Sequence, residues 1–124
     1  MKILAHFSVC LLFMIPVAVM AQSPAIDAAL NKGSAADLGG YFAEKVDVSI
    51  LDNDSSLSST ETVNHISTFF NQNAVKGYKR AHLTAAANGK AGYSLGDLAT
   101  STGTYRVYLY YDAKQKISEI RIQK

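Results

Sequence analysis

Tyr105-Arg-Val-Tyr-Leu-Tyr-Tyr111, a turn at Asp112-Ala-Lys-Gln115 and Lys116-Ile-Ser-Glu-Ile-Arg-Ile-Gln123 close the chain and decide its fold. Aromatic and β-branched residues recur there at period two, the pattern of a half-buried strand. Before this pair, residues 77–87 read as a long strand that ends at Asn88-Gly89, the strongest short hairpin signal. Residues 91–100 return, and Ser101-Thr-Gly103 turns the chain into the Tyr105 strand. The spacing predicts four consecutive antiparallel strands. Gly92 and Gly96 inside the second segment mark bends of a curled sheet. The stretch Thr84–Gly92 is small-sided, with four Ala and two Gly, as a close-packed wall would be.

Upstream the period changes. Ser58-Ser-Thr-Glu61 is a capping box, and Val63, Ile66, Phe70 and Ala74 follow on one helical stripe with Phe69 beside it. Val46, Val48 and Ile50 alternate as a strand, and Leu51-Asp-Asn-Asp-Ser-Ser56 is turn chemistry throughout. Two short helices precede it. The first is capped by Ser23 with Pro24 in its first turn, carries Ile26, Ala29 and Leu30 inward, and ends at Lys32-Gly33. The second opens at Ser34-Ala-Ala-Asp37 with Leu38, Tyr41 and Phe42 inward; Gly39-Gly40 weakens it towards a single helical turn. The order is α-α-β-α-β-β-β-β, an α+β arrangement with helices packed on one face of a curled antiparallel sheet.

The N-terminus reads differently. Met1-Lys2 supplies a positive start, Ile3–Val19 is apolar apart from His6 and Ser8, and Val19-Met-Ala21 is a cleavage pattern. Residues 1–21 are therefore predicted to be a signal peptide, with residues 22–124 as a single domain. The rival, an uncleaved membrane anchor, fits the run's length but not Pro16 and the cleavage site. Cys10 is the sole cysteine and lies in the leader, so the remaining domain depends on its core rather than on disulfides. The expected location is across the inner membrane, in the periplasm or outside the cell, with no stable membrane insertion after cleavage. Of 12 Lys and Arg, Lys2 alone lies in the leader, leaving 11 against 10 Asp and Glu. A near-neutral domain whose one basic cluster is Lys76, Lys79 and Arg80 is a poor partner for nucleic acid.

The element order resembles the nuclear transport factor 2-like, or cystatin-like, fold: a cone of helices around a curled sheet. The residues carry a closer resemblance. Thr68-Phe-Phe70, His82, Tyr93-Ser-Leu-Gly-Asp-Leu-Ala-Thr100 and Gly103-Thr-Tyr-Arg-Val-Tyr108 are similar to the small secreted family called domain of unknown function 4783, found mainly in Bacteroidetes. That resemblance covers nearly all of residues 22–124 and implies fold and compartment, with no activity. The family often has a small residue two after the His; here Leu83-Thr84 follow His82.

Enzymes of the nuclear transport factor 2-like fold place an acid, base or Tyr in the cone, which nominates His82 and Asp97 as candidate bases. Tyr93, Tyr105, Arg106, Tyr108 and Tyr110 are the candidate ligand-binding side chains. Along the last strands Tyr105, Val107, Leu109 and Tyr111 share one face, while Arg106, Tyr108 and Tyr110 share the other. The competing expectation for Asp97 is an ion pair with Arg106 across the strands. His82 reads equally as a half-buried packing residue, and His65 lies off the apolar stripe of its helix. No motif has metal-ligand spacing or a nucleophile arrangement, so neither metal nor cofactor is expected. The reading is a binding or interaction module for a small apolar ligand or an envelope protein, with homodimerisation through the sheet face as a further expectation. The alternative is an isomerase- or hydrolase-like enzyme using His82 or Asp97.

Overall fold

The computed structural model describes residues 18–84 and 91–124. The leader predicted over residues 1–21 therefore lies outside the described residues except for its last four. The Asn88-Gly89 turn lies outside them as well.

Helix α1 (Ala18–Lys32) buries Ile26, Ala29 and Leu30. It starts five residues ahead of Ser23, which sits inside the helix instead of capping it, because residues 18–22, good helix formers such as Ala and Met among them, are helical too. Its C-terminus is the predicted one. Gly33 adopts φ +68°, its N–H donates to the Leu30 carbonyl and the Ser34 N–H donates to that of Ala29. A side chain there would meet Val75, its Cβ only 2.8 Å from the Val75 Cβ.

Helix α2 (Ala35–Leu38) is one turn, capped by Ser34 through the Asp37 N–H. At Gly39–Tyr41 the chain tightens into a 3-10 turn. Phe42 is thus the first residue of strand β1 (Phe42–Ile50), where it is buried, and not part of a helix.

One strand was not foreseen. Residues Asn53–Ser58 form β2, hairpinned to β1 in the register Lys45↔Ser58 to Ile50↔Asn53. A run of Asn, Asp and Ser has little strand propensity; β2 forms because it is an edge strand whose backbone pairs with the apolar β1. Helix α3 (Ser59–Gln72) follows, with both halves of the capping box made: Glu61 N–H to Ser58 Oγ at 3.2 Å and Ser58 N–H to Glu61 Oε1 at 3.4 Å. Its buried stripe is Thr62, Ile66, Phe69 and Phe70; the helix ends before Ala74, which is exposed.

Strands β3 (Val75–Thr84), β4 (Tyr93–Thr100), β5 (Gly103–Tyr111) and β6 (Ile117–Gln123) complete a six-stranded sheet of order β2-β1-β6-β5-β4-β3. The four predicted antiparallel strands are all there. The β1–β6 pair is parallel, so the sheet is mixed. Register shifts between Arg80 and His82, Phe42 and Asp47, and Tyr110 and Tyr111 curl it. The first of these lies opposite Gly96, where the backbone of β4 carries the Tyr78 ring: a Cβ on Gly96 would overlap that ring and lie 2.7 Å from the Lys79 carbonyl. The helices cover the inner face and fill it with Val46, Leu98, Val107, Leu109, Ile120 and Ile122, among others.

Candidate functional site

Alternation along β4 and β5 sorts the candidate side chains. On β5, Tyr105, Val107, Leu109 and Tyr111 are buried, while Arg106, Tyr108 and Tyr110 face outward. On β4, Ser94, Gly96, Leu98 and Thr100 point inward, so Tyr93, Leu95 and Asp97 share the outer face.

Tyr105 therefore belongs to the core. Its ring meets Phe69 edge-on at 5.2 Å, and its hydroxyl donates to Asn73 Oδ1 at 3.2 Å. Thr102 reaches the same Asn73 oxygen, and Asn73 Nδ2 donates to the Phe69 carbonyl at 2.9 Å. This cluster ties the end of α3 to the β4–β5 turn. With every hydrogen-bonding atom of Asn73's amide engaged, its role is structural.

The remaining candidates come together on the outer face in transverse rows. One row runs Thr84↔Tyr93↔Tyr110↔Glu119↔Asp47↔Ser56 across all six strands. The next runs His82↔Leu95↔Tyr108↔Arg121↔Ser49↔Asp54. Tyr93 and Tyr110 stack with ring centroids 6.1 Å apart, and the His82 ring lies 5.3 Å from Tyr93. His82 Nε2 also lies 2.9 Å from Thr84 Oγ1. Asp97 pairs with Arg106 in register, Nε to Oδ1 3.4 Å, with each side chain about half exposed. Such a pair contributes little to stability.

The two halves of this face differ. Over β3–β5 it carries the rings of Tyr93, Tyr108, Tyr110 and His82 beside the aliphatic Leu95, and the cations Lys79 and Arg106 outnumber Asp97 by one. Over β6–β1–β2 it is polar: Asp47, Asp54 and Glu119 outnumber Arg121 and Lys45 by one, and a cleft of about 440 Å3 lies between Asp47, Asp54, Glu119 and Arg121. This half is hidden from a local reading, because β6 meets β1 only across a long separation in the chain; the alternation of Asp47, Ser49 and Glu119, Arg121 is the available signal.

Inside, the ionisable groups cluster between α1 and β3–β5. Asp27 lies 3.4 Å from Arg80, and its pKa is raised by desolvation, which the Arg80 guanidinium partly offsets. Tyr111 and Ser94 hydroxyls are 3.1 Å apart. The Tyr78 hydroxyl is buried without a partner among the described residues, and burial followed by the nearby Asp27 charge raises its pKa. Neither the outer-face cleft at Arg121 nor the one at Arg106 is lined by a residue of this cluster.

Helices on the inner side of a curled six-stranded sheet define a nuclear transport factor 2-like, cystatin-type fold. A nuclear transport factor 2-like protein of unknown function from Cytophaga hutchinsonii superposes with a TM-score of 0.56 at 14% identity, covering 80% of this chain and 82% of that one. The family follows from a closer match: the model for the domain of unknown function DUF4783 matches residues 23–123, and the chain belongs to that family. A DUF4783 protein from Bacteroides fragilis YCH46 is 26% identical with a TM-score of 0.72, covering 81% of this chain and 95% of that one. Another, from Bacteroides uniformis, is 24% identical with a TM-score of 0.75, covering 82% and 95%. None of the curated proteins matches this chain.

Proposed function

We propose that this protein is an exported, non-enzymatic interaction module whose working surface is the outer face of its sheet, and that a second copy of the chain is seated there. The observation that carries the reading is the stacked row His82–Tyr93–Tyr110 on an otherwise charged face. Large amphipathic rings are enriched where one protein surface covers another. The charge pattern supports a copy of the same chain. A two-fold axis along the strands between β5 and β6 would lay the net-negative β1–β2 half of one molecule on the net-positive aromatic half of the other. In that arrangement each Tyr93 lies opposite an Asp47 of its mate, and the same patch serves both subunits.

The filled centre of the inner face supports a binding role over a catalytic one. An isomerase- or hydrolase-like mechanism needs an ionisable group aimed into an enclosed cavity. His82 and Asp97, the two nominated bases, both stand on the outer face instead. A small apolar ligand buried at the centre of the sheet has as little room, since Leu98, Val107, Leu109 and Ile120 occupy it.

Export is supported by the apolar run of residues 3–19 and by the family match, which begins at residue 23, just beyond Ala21. Cleavage after Ala21 would leave Pro24 in the first turn of α1, where its missing N–H costs nothing.

Sedimentation velocity tests the interaction directly. The purified protein is expected to sediment as a dimer at micromolar concentration and as a monomer when Tyr93 and Tyr110 are both replaced by Ser. A wild-type monomer throughout the concentration range would refute the second copy as occupant.

A further inference from the structure

Four clefts among the described residues can be compared by what lines them, and three carry several charges. The outer-face cleft at Arg121 has three carboxylates; one beside β1 has Glu44, Lys45 and Asp112; the third has Asp97, Arg106 and Lys124. The fourth opens on the inner side of β1, where α3 meets the β1–β2 hairpin, and holds about 470 Å3. Val48, Ile50 and Phe69 form its apolar part, and no Asp, Glu, Lys or Arg lines it. Asn73 and Thr68 are committed to the carbonyls of Phe69 and Asn64. Asn53, His65 and Gln72 line the cleft without such a bond among the described residues.

The rim has an unusual backbone. Leu51 and Asp52 form the hairpin turn with φ of +50° and +70°, a geometry that Asn-Gly adopts readily and a leucine does not. The Leu51 N–H donates to the Ile122 carbonyl at 2.9 Å, which fixes the turn against β6. The strained conformation holds the side chain at the cleft mouth, 44% exposed, the one large hydrophobic so exposed among the described residues. Strain retained at the lip of a cavity points to use of that cavity.

We propose that this cleft binds an uncharged small molecule with a flat apolar body and an amide or hydroxyl group at one edge. The body packs between Leu51, Ile50 and Phe69, and the polar edge bonds with Gln72 and Asn53. The volume is that of a small-ligand site. A charged ligand would lose its hydration there with no Asp, Glu, Lys or Arg in the lining to replace it. This reading does not depend on the outer face, which lies on the other side of the sheet.

Three probes of nearly one shape test the charge rule: benzamide, benzoate and benzamidine, titrated into the 15N-labelled protein. Benzamide is expected to shift the backbone amides of Ile50, Leu51 and Gln72 saturably, with a Kd in the millimolar range typical of so few atoms. Benzoate and benzamidine should bind at least about tenfold more weakly. Gln72→Ala and Asn53→Ala, at exposed positions away from the core, should each weaken benzamide by about threefold or more. Absence of saturable shifts at these residues, equal binding of all three probes, or benzamide binding unchanged in both variants would overturn the proposal.

Discussion

Tyr105 and Tyr110 sit on one strand, five residues apart, and face opposite ways with opposite consequences. Tyr105 is 5% exposed, stacked edge-on against Phe69 and hydrogen-bonded to Asn73. Tyr110 is part-exposed and stacks on Tyr93. The inner ring is held by the fold; the outer ring is presented by it. Side chains of one type thus separate into stability and recognition through strand alternation alone, and the contrast can be broken by substitution.

The largest effect belongs to the inner side. Phe70→Ala should cost about 3–5 kcal/mol in urea unfolding, the range for a buried Phe; a loss below about 1 kcal/mol would mean that α3 is rotated from the phase described. Next is Gly96→Val, whose side chain would collide with the Tyr78 ring and the Lys79 carbonyl. A destabilisation of about 1–3 kcal/mol is expected there, and a neutral result would show that β3 does not cross Gly96 so closely. Ser58→Ala removes one half of the α3 capping box and should cost about 1 kcal/mol.

Tyr110→Ala marks the other side of the comparison. The stability of the unassociated chain should change by less than about 1 kcal/mol, as for one cross-strand pair, while self-association is lost. A stability loss as large as that of Phe70→Ala would place Tyr110 in the core.

A pH dependence sharpens the inner side further. Burial, then the Asp27 charge, raises the Tyr78 pKa above its ordinary 10.0, so the folded state favours the neutral phenol. Its contribution is complete below pH 10 and is lost as pH rises from there towards the folded-state value. Tyr78→Phe should flatten that alkaline decline in unfolding free energy; an unchanged profile would assign the decline to other groups.

Much of this was legible in the sequence, and for local reasons. The capping box at Ser58, the glycine cap at Gly33 and the period-two pattern of β5 each encode their geometry within a few residues. The alternation also placed Tyr105 apart from Tyr108 and Tyr110, and the register pairing of Asp97 with Arg106 was anticipated. What stayed hidden depends on pairing between distant segments. Strand β2 exists because β1 offers it a ladder, not because Asn53–Ser58 prefers to be extended. The acidic half of the outer face forms only when β6 returns beside β1 in parallel. The cleft under Leu51 stayed hidden for a related reason: the turn chemistry of Leu51-Asp-Asn-Asp-Ser-Ser56 is local, but only the folded chain shows the leucine held in a left-handed conformation at a cavity mouth.

The comparison between the two faces is tested most directly by hydroxyl-radical footprinting of the tyrosines across a protein dilution series. If a second copy covers the outer face, oxidation of Tyr93 and Tyr110 rises on dilution through the monomer–dimer transition, while Tyr105 stays protected at every concentration. Oxidation of Tyr93 and Tyr110 that does not change with concentration would contradict the account.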